Sequence, residues 1–429
     1  MKLRLAKLDP IEKKVFGIHL TYSFIEGFIL GVLALNEFVL IKSLSGTNLQ
    51  IGILFQLSVI LLLFSVLFNE FIKRTRNKPA LIRRVALLTR IPLVLLIVFP
   101  KTQAAYIDHP IFQFLFLFIF LLFYLANPII MPAINLFLRT HYKGGNFGTL
   151  YSYSTTVNKI VMLFGTFAFG LLLDKDPYAY SYVYPVIALL GIVSVHLLSR
   201  IPFEGAAIEV RTGFKDSIRK SFVNMWHIIS RNKPYRDFEI GFMLYGFAWM
   251  TTIAVITIFF DKVLKMNYST VAFYKNAYNI LAILILPFFG RLIGRIDPRK
   301  FAVYTFLSLL LFLFFLALTE YFPQHFEFLG IKVYYSLILA YLAHAVFAAT
   351  MSLLWYIGSA YFAKDEDAAN YQSVHLTLTG FRGLFAPLIG VVFYELLGFS
   401  WTFGIAIFSL SVAIGLMLLS MKNRNLEMQ

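Results

Sequence analysis

Glu26 is the one carboxylate in the stretch "HLTYSFIEGFILG" at residues 19–31, inside a long apolar run. An ionised carboxylate in hydrocarbon is costly and survives only against a partner or water. The chemistry open to such a group is proton binding and charge pairing. At 100° per residue, His19, Tyr22, Glu26, Leu33 and Glu37 share one stripe of the helix this run would form. A polar stripe on a membrane helix faces other helices or a watered cavity. Gly27, Gly31 and Ala34 add small residues that let a neighbouring helix come close.

Three cations lie at mid-depth of other apolar runs: Arg90, Lys159 and Arg382. Inserting each such charge at a helix centre costs about 2.5–3.5 kcal/mol, so pairing is expected. Glu26 would pair with Lys159 or Arg382. The positive charge left over would be met by an anionic substrate, water or carbonyl oxygens. On this reading Glu26 is the protonatable group, and a proton or substrate competes for the pairing. The alternative is a fixed salt bridge that locks two helices. Arg90 reads as structural, its guanidinium bonding carbonyls freed by Pro92.

Other polar and aromatic positions frame a cavity. Asn127 and Asn135 flank Pro128 and Pro132, which would kink a helix and free carbonyls. Tyr245 and Trp249 share a stripe with Thr252, and His344 and Trp355 share one with Met351. His344 is a candidate second titrating site, against the plainer reading that it satisfies a neighbouring helix. The aromatics read equally as packing. Lys275, Asn276 and Asn279 mark an outer gate or a cap.

The elements that must position these groups are membrane helices. Of 429 residues, 59% are hydrophobic and 14% charged, against roughly 25% charged in soluble domains. Apolar runs of about 20 residues recur along the chain, the length that crosses a bilayer. They predict an all-α polytopic protein with twelve transmembrane helices: 15–41, 49–71, 80–100, 111–137, 147–173, 178–199, 238–263, 270–293, 301–322, 332–361, 370–397 and 400–421. Asp9, Pro10 and Glu12 predict the first helix start, as N-cap, N1 and N3. The first apolar run is too long for a cleavable signal. With both termini inside, 28 of the 38 Lys and Arg fall in inner segments and six in outer loops. That bias predicts cytoplasmic termini, and the expected location is a bacterial inner membrane.

The longest hydrophilic stretch, 200–237, divides the chain into an N-terminal six-helix bundle (1–199) and a C-terminal one (238–429). Within it Phe214, Ile218, Phe222, Met225 and Ile229 recur at helical spacing beside Lys215, Arg219 and Lys220. This predicts an amphipathic helix on the inner membrane surface. The halves echo each other. Aligning Asn146 with Asn370 also matches Thr155 with Thr379, Phe169 with Phe393 and Leu172 with Leu396. Parallel six-helix repeats are one transporter plan.

The loop "GRLIGRIDPRK" at 290–300 resembles the signature Gly-x-Leu-x-Asp-Arg-x-Gly-Arg-Lys of the major facilitator superfamily. Gly290, Leu292 and Arg295 fall in place, and Arg299 and Lys300 follow. Gly294 stands at the usual Asp position, with Asp297 displaced. The first copy, "NEFIKRTRNK", keeps basic residues such as Arg74 and Lys78. The resemblance implies two pseudo-symmetric bundles that rock about a central cavity lined by spans 1, 4, 7 and 10. It also implies a gating role for Gly290, Arg295 and Arg299.

The chain has no cysteine, so thiolate metal sites are excluded. It has no P-loop, no His-Glu-x-x-His and no Gly-x-Ser-x-Gly, which argues against an enzyme. The expected function is secondary transport of a small anionic or zwitterionic organic solute, coupled to protons. Export or flipping of amphiphiles, such as drugs or lysolipids, is the alternative. A non-transporting receptor on the same scaffold is a third reading. The expected partners are a small-molecule substrate, protons and membrane lipids. No cofactor, metal or nucleic acid is expected, and the protein is expected to be a monomer.

Overall fold

The structure is a computed structural model that describes residues 8–64, 68, 71–72, 74–142, 146–203, 213–293, 295–362 and 368–423. It is all-α apart from one short hairpin among those residues. Nine helices among the described residues are long and apolar enough to cross a membrane. The expected spans 370–397 and 400–421 lie in one apolar run, Tyr371–Asn423, which breaks after Gly383 and kinks at Gly398, where the two spans were expected to part. The span expected at 49–71 is a shorter apolar helix, Asn48–Ile60, followed by a 3-10 turn, Leu61–Phe64. The span expected at 80–100 divides at Arg90 into an α-helix and a 3-10 helix, Ile91–Val98.

The chain clusters into two compact units. The first comprises residues 1–46 and 64–213. It contains α1 (Pro10–Leu33), α3 (Lys78–Arg90), α4 (Ile111–Tyr124), α5 (Asn127–His141), α6 (Asn146–Lys175) and α7 (Tyr180–Leu198). The second comprises 47–63 and 214–429. It contains α2 (Asn48–Ile60), α8 (Phe214–Arg231), α9 (Lys233–Lys262), α10 (Tyr268–Ile293), α11 (Pro298–Tyr321), α12 (Tyr335–Ile357), α13 (Ala368–Gly383) and α14 (Ala386–Asn423).

In the first unit α1 starts as its residues dictate. The Asp9 side chain accepts from the Glu12 amide at 2.8 Å, and Pro10 occupies the first turn. Where the sequence suggests one helix to residue 41, α1 ends at Leu33. A short helix (Asn36–Phe38) and a π-helical turn (Val39–Ser43) follow. All five residues of the polar stripe are buried.

Lipid is as apolar as leucine, so membrane helices associate through close packing and hydrogen bonds. The α1–α6 contact shows how. A Cβ added at Gly27 would meet the Asn158 carbonyl oxygen at 2.4 Å. One added at Gly31 would meet the Met162 carbonyl oxygen at 2.5 Å. The small residues therefore put two backbones in contact, and Asn158 Nδ2 donates to the Ser23 carbonyl at 2.9 Å. The inner core of this unit collects Val15, Ile82, Ile130, Phe137 and Val195 from α1, α3, α5 and α7.

In the second unit α9 packs along α14, and α11 bridges α12 and α14. α14 leaves helical geometry at Gly398, whose φ of 80° suits glycine. α2 packs on α13 and α14, and its Gln56 Nε2 donates to the Leu384 carbonyl at the break between them. The antiparallel hairpin β1 (His325–Phe328) and β2 (Ile331–Tyr334) pairs His325 with Tyr334 and turns through Leu329 and Gly330 at positive φ. Periodicity reading assigned no strand here. The hairpin docks on α10, where the Tyr334 amide donates to the Tyr274 hydroxyl at 2.8 Å. The amphipathic helix expected in the central loop is α8.

Gly27→Ala should lower stability by about 1–3 kcal/mol, because its methyl group meets backbone that cannot rotate away. Nothing lies within 4 Å of a Cβ at Gly290, so Gly290→Ala should stay within about 0.5 kcal/mol of the parent. Thermal unfolding of the two purified variants in detergent checks both, and equal losses would contradict the packing account.

Candidate functional site

Glu26 sits at the centre of the first unit's polar cluster. Its Oε1 accepts from the Ser194 hydroxyl on α7 at 2.7 Å. Arg90, at the end of α3, is the cation whose charge acts on it. Gly191, one turn from Ser194, makes room for that guanidinium: a Cβ there would lie 3.1 Å from Arg90 Nε. Arg90 Nη1 donates to the Phe123 carbonyl at 3.3 Å, and the guanidinium lies 4.1 Å from the Phe123 ring centroid. The carbonyl it uses thus comes from the end of α4, before the Asn127–Pro128 restart, and not from the turn at Pro92. Tyr22 lies in the same field, coupled to both Glu26 and Arg90.

The sequence expectation paired Glu26 with Lys159 or Arg382. The structure gives its hydrogen bond to Ser194 instead, and Lys159 is half-buried on α6. His19 lies further along α1, its Nδ1 3.0 Å from the Tyr142 hydroxyl and its ring against Tyr151. Asn127 is exposed, and the Asn135 side chain lies outside the described residues.

The second unit gathers five of the expected residues. Arg382, one residue from the end of α13, is buried. Its Nη1 donates to the Phe242 carbonyl on α9, and its guanidinium lies 5.5 Å from the Tyr245 ring centroid. A Cβ at Gly246 would overlap that guanidinium, so the glycine is what admits it. Tyr245 stacks on Phe306 at 5.1 Å and contacts Phe347. Phe347 in turn contacts Trp249 and His344. His344 is enclosed by rings, with Phe312 at 4.3 Å, Tyr278 at 4.4 Å and Trp249 stacked at 5.6 Å. Its buried Nδ1 has no hydrogen-bond partner among the described residues.

Trp355 leads to a pair that the sequence reading did not single out. Its ring meets His375 edge-on at 4.8 Å. His375 Nδ1 lies 3.1 Å and 3.2 Å from the two carboxylate oxygens of Glu239, and both residues are buried. A signal was present. His375, Thr379 and Arg382 at i, i+4 and i+7 share one face of a membrane helix.

The signature loop divides. Gly290 and Arg295 are exposed, and Gly294 lies outside the described residues. Arg299 is 1% exposed and ties three helices together. It pairs with Asp297 at 2.7 Å and donates through Nη1 to the carbonyl and hydroxyl of Ser420, each at 3.0 Å. The Ser420 hydroxyl donates to Asp237 at 2.8 Å. Arg299 therefore anchors α11 to α14 and α9, which is compatible with a gating role only through those helices.

Ser194→Ala removes the donor to Glu26 and leaves a buried carboxylate oxygen bare. The expected cost is about 1–3 kcal/mol. Thermal unfolding measures it, and an unchanged midpoint would mean that Ser194 does not hold the carboxylate.

A family model for the Major Facilitator Superfamily matches residues 16–369. No curated protein sequence matches significantly. Among solved structures, a mutant of the nucleoside transporter NupG aligns with a TM-score of 0.68 at 13% identity, covering 97% of this chain and 100% of that one. A POT family transporter in complex with 5-aminolevulinic acid aligns at 0.66 and 13% identity, covering 95% of each chain. A D-xylose-proton symporter aligns at 0.65 and 11% identity, covering 94% of this chain and 96% of that one. At such identities these likenesses establish the fold. The family match covers most of the chain, in keeping with buried charge clusters on apolar helices: it belongs to the Major Facilitator Superfamily and is a multi-pass membrane transporter, not an enzyme.

Proposed function

We propose that the protein is a secondary active transporter. It moves a small anionic or zwitterionic organic solute by alternating access and is driven by protons. On this reading two six-helix bundles, 1–199 and 238–429, are joined by the linker 200–237. Both termini are cytoplasmic, the membrane is a bacterial inner membrane, and the protein works as a monomer with twelve spans. Coupling rests on Glu26 with Arg90, while Lys159 and Arg382 are candidate contacts for a substrate anion.

The observation that carries this reading is how Glu26 is held. Its hydrogen bond comes from a neutral hydroxyl, while Arg90 donates to a carbonyl and lies on a ring. A carboxylate held this way can gain a proton without breaking a bidentate ion pair. The solved structures of the same fold include transporters described with 5-aminolevulinic acid and with D-xylose and a proton. Small polar solutes and a coupled proton are the chemistry we carry over.

Export of amphiphiles is favoured by one different feature. An apolar cavity of about 260 Å³ lies between α10 and α12, walled by Phe273, Tyr274, Tyr278, Tyr341 and Leu342. An acyl chain would fit such a wall, and a compact zwitterion would not.

A thermal-shift screen of the purified protein against anions, zwitterions and lipophilic cations separates the two readings. With the solute found, Glu26→Gln in proteoliposomes should abolish gradient-driven accumulation and leave counterflow exchange measurable. Accumulation at the parent rate would remove Glu26 from coupling, and stabilisation by lipophilic cations alone would favour the amphiphile reading.

A further inference from the structure

We propose that His375 is a proton-binding site, with Nε2 as the acceptor, Glu239 as the orienting group, and Thr379 and Arg382 continuing a polar file along α13. The inference rests on proton-coupled transport only for its purpose; the site itself stands on geometry.

Both oxygens of Glu239 lie at nearly equal distance from His375 Nδ1. A carboxylate only accepts, so the hydrogen of this contact belongs to Nδ1. The neutral ring then carries its lone pair on Nε2. A carboxylate that holds an imidazole in one tautomer, with the opposite nitrogen presented as base, is the arrangement that acid–base sites use.

Nε2 is enclosed, yet it has no hydrogen-bond partner among the described residues. Of the flanking rings, each at 4.8 Å, Phe242 has no polar atom and the Trp355 indole N–H makes no hydrogen bond to Nε2. The Thr379 hydroxyl and Arg382 Nε, both on residues 2% exposed, likewise have no hydrogen-bond partner among the described residues. The three residues fall within about 60° of arc and about 10 Å of rise on α13. A single unpaired buried polar atom costs about 1–3 kcal/mol. Three aligned on one helix face point to a shared polar occupant, and a file of water molecules is the one that fits a stripe of this length.

The charges around His375 give the proton a consequence. From α9, Glu239 and Tyr235 face the site, and the Tyr235 hydroxyl donates to the Tyr371 carbonyl at 2.7 Å. From α13 itself, Arg382 acts on Glu239 through space, and the Tyr371 hydroxyl lies beside Asn232. With His375 neutral, Glu239 and Arg382 balance. A proton added to the Nε2 lone pair leaves one net positive charge, which an anionic solute would neutralise. Proton binding before solute binding is the order this predicts.

Nitrogen NMR of the full-length protein labelled with [15N]histidine tests the site without any solute. Of eight histidines, the signal lost in His375→Gln should show the Nδ1–H tautomer. Its Nε2 should gain a proton within the pH range in which the protein stays folded. If His375→Gln does not fold, Trp355→Phe identifies the same signal by shifting it. Thr379→Val should leave the tautomer unchanged and slow exchange of the Nε2 proton with solvent several-fold. An Nε2–H tautomer, or a ring that never gains the second proton, would overturn the site. A titrating His375 in a chain that accumulates no solute would leave the site standing and sink the transport reading. Proton-driven accumulation beside a silent His375 would sink the site alone.

Discussion

A charge placed in hydrocarbon must meet its partners within reach of one side chain, because no solvent will supply them. This protein meets that constraint for two of its buried cations by ending helices where they lie. Arg90 is the last residue of α3 before the chain tightens into a 3-10 helix, and Arg382 stands one residue from the end of α13. A helix C-terminus presents unpaired carbonyls and the negative end of its dipole. Each guanidinium also finds a carbonyl on another helix, Phe123 for Arg90 and Phe242 for Arg382, and lies near an aromatic ring. The acids follow the same rule. Glu26 faces Ser194 and the field of Arg90, and Glu239 faces His375 and the field of Arg382.

Close packing makes these meetings possible. Glycines at positions 191 and 246 open the space that the two guanidinium groups fill, and Gly27 and Gly31 bring α1 onto α6 beside Glu26. Small residues and buried charge are thus one design: the first lowers the distance over which the second must act. Each unit holds an acid, a cation at a helix break, and a set of rings. A pair balanced in this way stays solvated by the protein rather than by water.

Much of this was legible from residue order, and the rest was hidden for physical reasons. Asp9, Pro10 and Glu12 predict the start of α1, because capping is a local matter of three residues. The stripe through His19, Tyr22, Glu26 and Glu37 predicts a buried face, because 3.6-residue periodicity is local too. The amphipathic run predicts α8 for the same reason. Partners across helices carry no such signal. Ser194 is an ordinary serine 168 residues from Glu26, and nothing in spacing distinguishes it from Lys159 as a partner. The break after Arg90 was foreshadowed by Pro92, but which carbonyl Arg90 would use depended on where α4 stopped. Glu239 and His375 sit on separate helices. The polar face of α13 was readable, but its acid was not. The hairpin at 325–334 was missed because it is too short to outweigh the apolar runs around it.

The central claim is that Glu26 and Arg90 stabilise one another inside the membrane, and a double-mutant cycle reads that term directly. Glu26→Gln, Arg90→Gln and the double variant are compared by thermal unfolding. The account predicts a coupling of about 1–3 kcal/mol, the double variant losing less than the two single losses combined. Losses that add to within about 0.5 kcal/mol would show that the two charges are held independently and would contradict it.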